Sequence, residues 1–198
     1  KELDSKENSS QHRDNLYVQI RECYGRSVYT YSTHHKKMNN LELKNKRIKL
    51  CQIILSAISA SGFLGAIITN ERSFTVIGGI FSTLLLAVNL FFKDNNLVEE
   101  AKRHYSTAIN LWLAREDYIS LLTDFPILSS EKIVQIRDDL QARVFEIYKS
   151  SPTTDKRSYL EAQNALKKEE EQFFNPEEID MMLPMHLRNK GKLSSEVN

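Results

Sequence analysis

The chain has 198 residues, with 27 Lys and Arg against 26 Asp and Glu, so its formal net charge is only +1. This balance gives no support for direct nucleic-acid binding, which usually requires a clear excess of positive charge. The two cysteines, Cys23 and Cys51, argue against a disulfide framework and indicate a reducing compartment.

The chain begins with a polar, Ser-rich stretch, residues 1–12, whose composition predicts a flexible tail. Residues 13–49 carry apolar side chains at three- and four-residue steps, which predicts a cytoplasmic amphipathic helix that continues into the next element. The apolar series consists of Leu16, Ile20, Cys23, Tyr24, Val28, Tyr31 and Met38.

Two uncharged apolar runs follow, residues 50–69 and 73–92, separated only by Asn70, Glu71 and Arg72. A helix of about twenty residues crosses the ~30 Å hydrocarbon core of a bilayer. The runs therefore predict two transmembrane helices joined as a tight hairpin. A buried pair of apolar helices in a soluble protein is the alternative.

Positive charge is unevenly distributed around this hairpin, and the asymmetry predicts its orientation. The turn contains Arg72 alone, whereas many basic residues lie at the other ends of both runs. By the positive-inside rule, both termini are expected in the cytoplasm. The basic residues that flank the runs are Lys36, Lys37, Lys44, Lys46, Arg47, Lys49, Lys93, Lys102 and Arg103.

Residues 93–188 are predicted to form a cytoplasmic helical region, since no segment shows the period of two that marks a strand. A helix from about Leu97 is ended by Pro126, and Ser129 or Ser130 caps the next one, which runs to about Lys149.

A further helix is expected over residues 154–173, Asn175 caps a short last one, and residues 189–198 are again tail-like. The predicted fold class is all-α. It consists of a two-helix transmembrane hairpin with long cytoplasmic extensions packed against additional C-terminal cytoplasmic helices.

Catalytic and metal-binding motifs are not found in the sequence, so we expect no enzyme activity, no cofactor and no metal site. His34 and His35 are adjacent and point to different sides of a helix, which favours solvated side chains. His104 follows Glu100 at a spacing of four residues, which favours a surface pair.

Polar and small side chains form a stripe along each apolar run, and polar groups in hydrocarbon need partners. In one interpretation the stripes face each other within one hairpin, where Gln52 bonds to Asn89. In the other, several hairpins assemble and a stripe lines a water-filled path, with Phe63 as a hydrophobic constriction. The candidate pore-lining or interhelical residues are Gln52, Ser56, Ser59, Phe63, Thr75, Ser82 and Asn89.

Several short motifs around the hairpin resemble one known family, the SLATT domain, a two-span effector domain found beside SMODS nucleotidyltransferases and SLOG sensors. The motifs are Ala101-Lys102-Arg103-His104-Tyr105, Leu111-Trp112-Leu113-Ala114-Arg115-Glu116-Asp117-Tyr118 and Leu121-Leu122-Thr123-Asp124-Phe125. Ala114 departs from the family pattern, in which we expect Arg. A reverse-transcriptase-associated branch is suggested by Ile136-Arg137-Asp138-Asp139-Leu140, by residues 148–154, and by Glu177-Glu178-Ile179-Asp180 with Leu183-Pro184 and Leu187-Arg188.

The resemblance implies an oligomeric effector of a prokaryotic antiviral, abortive-infection system that permeabilises the bacterial inner membrane when it is triggered. Its implied partners are membrane lipid, further copies of itself, and a reverse transcriptase or nucleotide-signalling enzyme encoded nearby. The alternative function is a non-conducting membrane anchor or scaffold whose cytoplasmic helices dock a partner protein.

Overall fold

A computed structural model describes residues 2–93 and 96–188 of the chain. The described residues are helical and contain no strand, which confirms the all-α class. The helices are α1 (Glu2–Thr69), α2 (Arg72–Phe92), α3 (Leu97–Asp124), α4 (Ser130–Ser150), α5 (Lys156–Lys167) and α6 (Pro176–Met182), followed by a 3-10 turn at Met185–Leu187.

Helix α1 runs without interruption through the first apolar run, as the periodicity predicts. At about 1.5 Å per residue, its length is roughly 100 Å. Residues 2–12, predicted as a flexible tail, instead belong to α1. They contain Glu, Lys, Leu and Gln but no proline, so they extend an existing helix without the cost of nucleation. The predicted tail at residues 189–198 lies outside the described residues.

A tight turn joins α1 to α2 and creates the hairpin. Only Asn70 and Glu71 separate the two helices, and Asn70 has a φ of 55°. Asn tolerates this left-handed conformation better than most residues do. The turn therefore reverses the chain directly after the first apolar run.

Helix α3 returns along α1 in the opposite direction. Leu97 packs against Leu41 near the hairpin, and the Arg13 guanidinium donates hydrogen bonds to the carbonyl oxygens of Phe125 and Leu128 at the far end. A cation is favourable there because the carbonyls that end a helix lack intrahelical partners. We call α3, α4 and residues 8–49 of α1 the stalk.

Helix α4 lies parallel to α1 in the stalk. Arg137 donates to Gln19, and the hydroxyls of Thr30 and Tyr148 share a hydrogen bond of 2.9 Å. The two residues of each pair are 118 positions apart in sequence, so the two helices run in the same direction with a constant offset. The stalk core between α1, α3 and α4 consists of Leu16, Ile20, Cys23, Tyr118, Leu121, Phe125, Ile133 and Leu140.

The predicted caps are confirmed where the sequence identifies them. The Ser129 side chain accepts from the N–H of Lys132 and starts α4, and Asn175 forms a capping box with Glu178 at the start of α6. The helix predicted over residues 154–173 is shorter, because α5 ends at Lys167. Three consecutive glutamates, residues 169–171, follow this end, where negative charge opposes the helix dipole.

The chain divides after Ala162 into two compact units. The first contains the hairpin and the stalk. The second contains the end of α5, a turn with positive φ at Glu170 and Gln172, α6 and the 3-10 turn.

Candidate functional site

The two helices of the hairpin meet most closely at a pair of glycines. A Cβ atom added to Gly62 would lie 2.9 Å from the Cα and N atoms of Gly78, so only glycine fits there without a shift of the backbone. The Ser59 hydroxyl donates to the carbonyl oxygen of Gly78 at 3.1 Å. Small residues that permit such close approach are characteristic of helix packing in membranes.

Gly62 is not among the predicted interhelical residues, which continue along α1 from Ser59 to Phe63. The available signal was its position three residues after Ser59, on the same face of α1. Close packing across the hairpin therefore depends on Ser59, Gly62 and Gly78.

The two predicted amides meet at the base of the hairpin, near the stalk. Gln52 Nε2 donates to Asn89 Oδ1 at 2.8 Å, the bond that the interhelical interpretation expects. Gln52 is half-buried and Asn89 is exposed, so both amides retain hydrogen-bonding groups that face away from the hairpin. These remaining groups require further partners wherever the surroundings are apolar.

Most of the remaining stripe residues do not come together inside the hairpin. Ser56, Thr75 and Ser82 are exposed, whereas Ser59 is buried. Phe63 is exposed, but one edge of its ring lies against Gly78 of α2. Ser56 lies beside the amide pair in an open groove of about 630 Å³, which we call the hairpin groove. Small and polar side chains line much of this groove, including Gln52, Ser56, Ala57, Ala60 and Asn89.

Most large apolar side chains of the hairpin point outward. Leu64 is 60% exposed and Ile68 is 83% exposed. Among the described residues, two helices are long and apolar enough to cross a membrane, and they carry the two predicted apolar runs. These runs are not buried as in the core of a soluble protein.

The stalk contains a buried polar cluster that the sequence analysis did not predict. His34 and His104 are 3% and 0% exposed, and their Nδ1 atoms lie 2.9 Å apart. The predictions of a solvated His34 and a surface-exposed His104 are therefore wrong. Helical periodicity places both rings on the faces where α1 and α3 meet, and the sequence does not specify that pairing.

One of the two imidazoles donates its Nδ1–H to Nδ1 of the other, and the tautomers decide which ring is the donor. The Glu100 carboxylate lies 4.0 Å from His104 Nε2. Burial, reinforced by His104, lowers the pKa of His34 to about 4, and burial together with Lys37 lowers the pKa of His104.

The same cluster attaches the start of α5 to α1. Asp155 accepts from Lys37 Nζ at 2.8 Å and from the backbone N–H of Ser158 at 2.8 Å. The Lys37 bond, and next the Ser158 bond, lower the pKa of Asp155 to about 2. Lys37 also lies 3.8 Å from Glu100. The arrangement connects α1, α3 and the start of α5 through charge.

Residues 16–178 match the SMODS and SLOG-associating 2TM effector domain family 4. The chain belongs to this family. The match begins in α1 within the stalk, includes the complete hairpin and ends in α6. The family description and the two exposed apolar helices together indicate a membrane protein. No curated protein and no solved structure matches the chain.

The position at which this SLATT chain departs from the expected pattern lies in the stalk interior. Ala114 is fully buried on α3. An arginine in this place would require a different local packing, because its guanidinium needs solvent or hydrogen-bond partners. Ala114 itself has no polar group with which to bind a ligand.

The structure shows no metal-binding site within the described residues, because no three His, Cys, Asp or Glu side chains there lie close enough together to hold one ion. The histidine pair contributes only two imidazoles. The hairpin, with its exposed groove of polar and small side chains, is the candidate functional region of this SLATT protein, and the buried cluster connects the helices of the stalk.

Proposed function

We propose that this SLATT protein is an oligomeric effector of a prokaryotic antiviral system that permeabilises the inner membrane when triggered. Both termini lie in the cytoplasm in this proposal, because Arg72 is the one basic residue between the two apolar runs and the opposite ends of the hairpin are strongly basic. The trigger comes from a nucleotide-signalling enzyme or a reverse transcriptase encoded nearby. The chain itself acts without enzymatic activity.

The observation that carries this proposal is the hairpin groove. Two helices cannot enclose a pore, so conduction requires several hairpins. Asn89 and Ser56 place polar groups on an outer face of a hairpin whose other outward side chains are mostly large and apolar. Polar groups in hydrocarbon are costly unless another chain or water satisfies them. Assembly of hairpins through this groove supplies both kinds of partner.

Reconstitution in liposomes tests the proposal, with release of an entrapped dye as the measurement. Asn89→Leu is expected to reduce release at least tenfold, whereas Thr83→Val is the matched control. Thr83 is also an exposed polar residue of α2, but its hydroxyl donates to the Gly79 carbonyl of its own helix at 2.9 Å. Equal release by wild type and Asn89→Leu would contradict a role for the groove.

The constriction is tested separately through Phe63, which is 43% exposed. A ring that gates by excluding water is expected to leak without a trigger when it is replaced by a small side chain. Phe63→Ala should therefore raise unstimulated release or depolarisation. If Phe63→Ala shows no unstimulated release, Phe63 does not form the gate. The proposed role of the hairpin groove would be unaffected by that result.

A non-conducting anchor is the second candidate, and a surface of the stalk favours it. Val98, Tyr105, Ile109 and Trp112 form an exposed apolar stripe at steps of seven, four and three residues on α3. Such a stripe suits a partner protein. Replacing residues 50–92 by an unrelated hairpin of equal length should preserve defence if the protein only anchors that partner, and abolish it if the hairpin conducts.

A further inference from the structure

A second groove lies at the base of the hairpin, where α1 meets the end of α2 and the start of α5. Its volume is about 350 Å³. Lys37, Lys44, Arg47 and Ile48 contribute from α1, Phe92 from α2 and Arg157 from α5. We call it the basal groove.

The cations of the basal groove differ in whether a carboxylate neutralises them. Lys37 bonds to Asp155 and Arg157 bonds to Glu161, each at 2.8 Å. Lys44 and Arg47 are exposed, and neither forms an ion pair with any described residue. Two positive charges in the groove therefore have no carboxylate partner within residues 2–93 and 96–188, and an anion is the complementary ligand.

The same groove has an apolar side that faces the hairpin. Ile48 and Phe92 lie where the two apolar runs meet the stalk, and Lys44 Nζ lies 6.0 Å from the centroid of the Phe92 ring. Lys44 and Arg47 are thus at the level of lipid headgroups when the runs span a bilayer. A soluble anion would contact Lys44 and Arg47 only and would leave the apolar side of the groove without a binding partner.

We propose that the basal groove binds an anionic phospholipid. Lys44 and Arg47 contact its phosphodiester, and an acyl chain lies along Ile48 and Phe92. Basic pockets beside transmembrane helices on the cytoplasmic side are suited to such headgroups. The assignment rests on the proposed membrane orientation. Because Arg157 also lines the groove, the lipid contacts both the hairpin base and α5.

A matched pair of charge variants tests the assignment on the full chain in mixed micelles. The double variant Lys44→Gln/Arg47→Gln removes the two positive side chains that are proposed to contact the lipid phosphodiester. Lys46→Gln with Lys102→Gln removes two charges from a different groove at the same end of the hairpin, one that contains Glu42. Retention of phosphatidylglycerol relative to phosphatidylcholine is measured by native mass spectrometry, and circular dichroism verifies that each variant is folded.

Wild type is expected to retain phosphatidylglycerol at least tenfold better than phosphatidylcholine. The Lys44/Arg47 variant should lose most of this preference, whereas the Lys46/Lys102 variant should change less than twofold. Equal loss in both variants would overturn the site, because it would indicate general charge attraction.

A competition with inorganic phosphate and glycerol phosphate separates a lipid from a soluble anion. Neither compound should displace the lipid at millimolar concentration, and Phe92→Ala should weaken lipid retention at unchanged charge. Displacement by inorganic phosphate, or an unaffected Phe92→Ala, would overturn the lipid assignment. Lipid retention does not depend on leakage, so a protein that binds lipid without permeabilising liposomes contradicts the proposed function alone.

Discussion

The hairpin and the stalk share the helix α1 but are held together by different means. In the stalk, large apolar side chains such as Ile20, Tyr118 and Ile133 are buried between three helices. In the hairpin, glycine and serine make the closest contact and most large apolar side chains face outward. Water drives apolar burial in the first region, whereas lipid provides no such drive in the second, where close backbone approach and hydrogen bonds are decisive.

The largest effect is expected when a large aliphatic side chain is replaced by Ala in each of the two regions. Ile133→Ala should lower the free energy of unfolding of the stalk by about 2–5 kcal/mol, because it creates a cavity in a fully buried site. Leu64→Ala, at an exposed hairpin position, should change it by less than about 0.5 kcal/mol. Denaturant titrations in detergent measure both. Similar losses would contradict the distinction between the two regions.

The histidine pair makes the stability of the stalk depend on pH. The folded-state pKa of His34, about 4, lies below the ordinary value of 6.5, so the unfolded chain binds more protons in this interval. The contribution of His34 to the free energy of unfolding is therefore fully present above about pH 6.5. It is lost as the pH falls towards 4, which lowers the free energy of unfolding by about 3 kcal/mol. Lys37 opposes protonation of His104, whereas Glu100 and Asp155 favour it.

Thermal melting at pH 7 and pH 4.5 measures this effect. A variant with Gln at both His34 and His104 should melt with a smaller difference between the two pH values. The same difference in wild type and variant would assign the pH dependence to other groups. The hairpin should contribute little to it, because the described residues 50–69 and 73–92 contain no charged side chain.

The glycine contact provides the next test, with a control in the same helix pair. Gly62→Ala places a methyl group 2.9 Å from the backbone of Gly78, so the helices must separate, at a cost of about 1–3 kcal/mol. Gly79→Ala has open space around its Cβ and should cost nothing or stabilise α2. Melting of the two variants in detergent should differ accordingly. Equal destabilisation would place the closest packing elsewhere.

The smallest expected effect concerns the amide pair at the hairpin base. A double-mutant cycle with Gln52→Leu and Asn89→Leu should give a coupling energy of about 0.5–2 kcal/mol, because interhelical hydrogen bonds in membranes are modest. A coupling near zero, measured from denaturation in detergent, would show that each amide prefers another partner. That outcome would strengthen the assignment of both side chains to contacts between hairpins.

Local signals in the sequence were sufficient for the helices and several caps. Ser129 and Asn175 cap their helices as predicted, since capping depends on residues within one turn. The end of α5 was predicted six residues too far along the chain. The apolar series continues past Lys167, and the three glutamates that follow oppose the helix dipole too weakly to mark the end in the sequence alone.

Contacts between helices were predicted less completely. The Gln52–Asn89 bond was among the alternatives because both amides lie near the ends of their apolar runs. The Gly62–Gly78 contact and the His34–His104 pair were missed, since each depends on how far one helix is rotated against another. Rotations of this kind are set by the sum of many side-chain contacts along the whole helix pair.

The sequence by itself determined that the chain is all-helical, where its apolar runs lie and that a three-residue interval folds them into a hairpin, because these properties depend on local composition and spacing. The tertiary structure decided which small residues meet, which stripe side chains remain exposed, and that two histidines are buried against each other. These features depend on the pairing of surfaces that are far apart in sequence, and on α1 serving as the common partner of α2, α3 and α4.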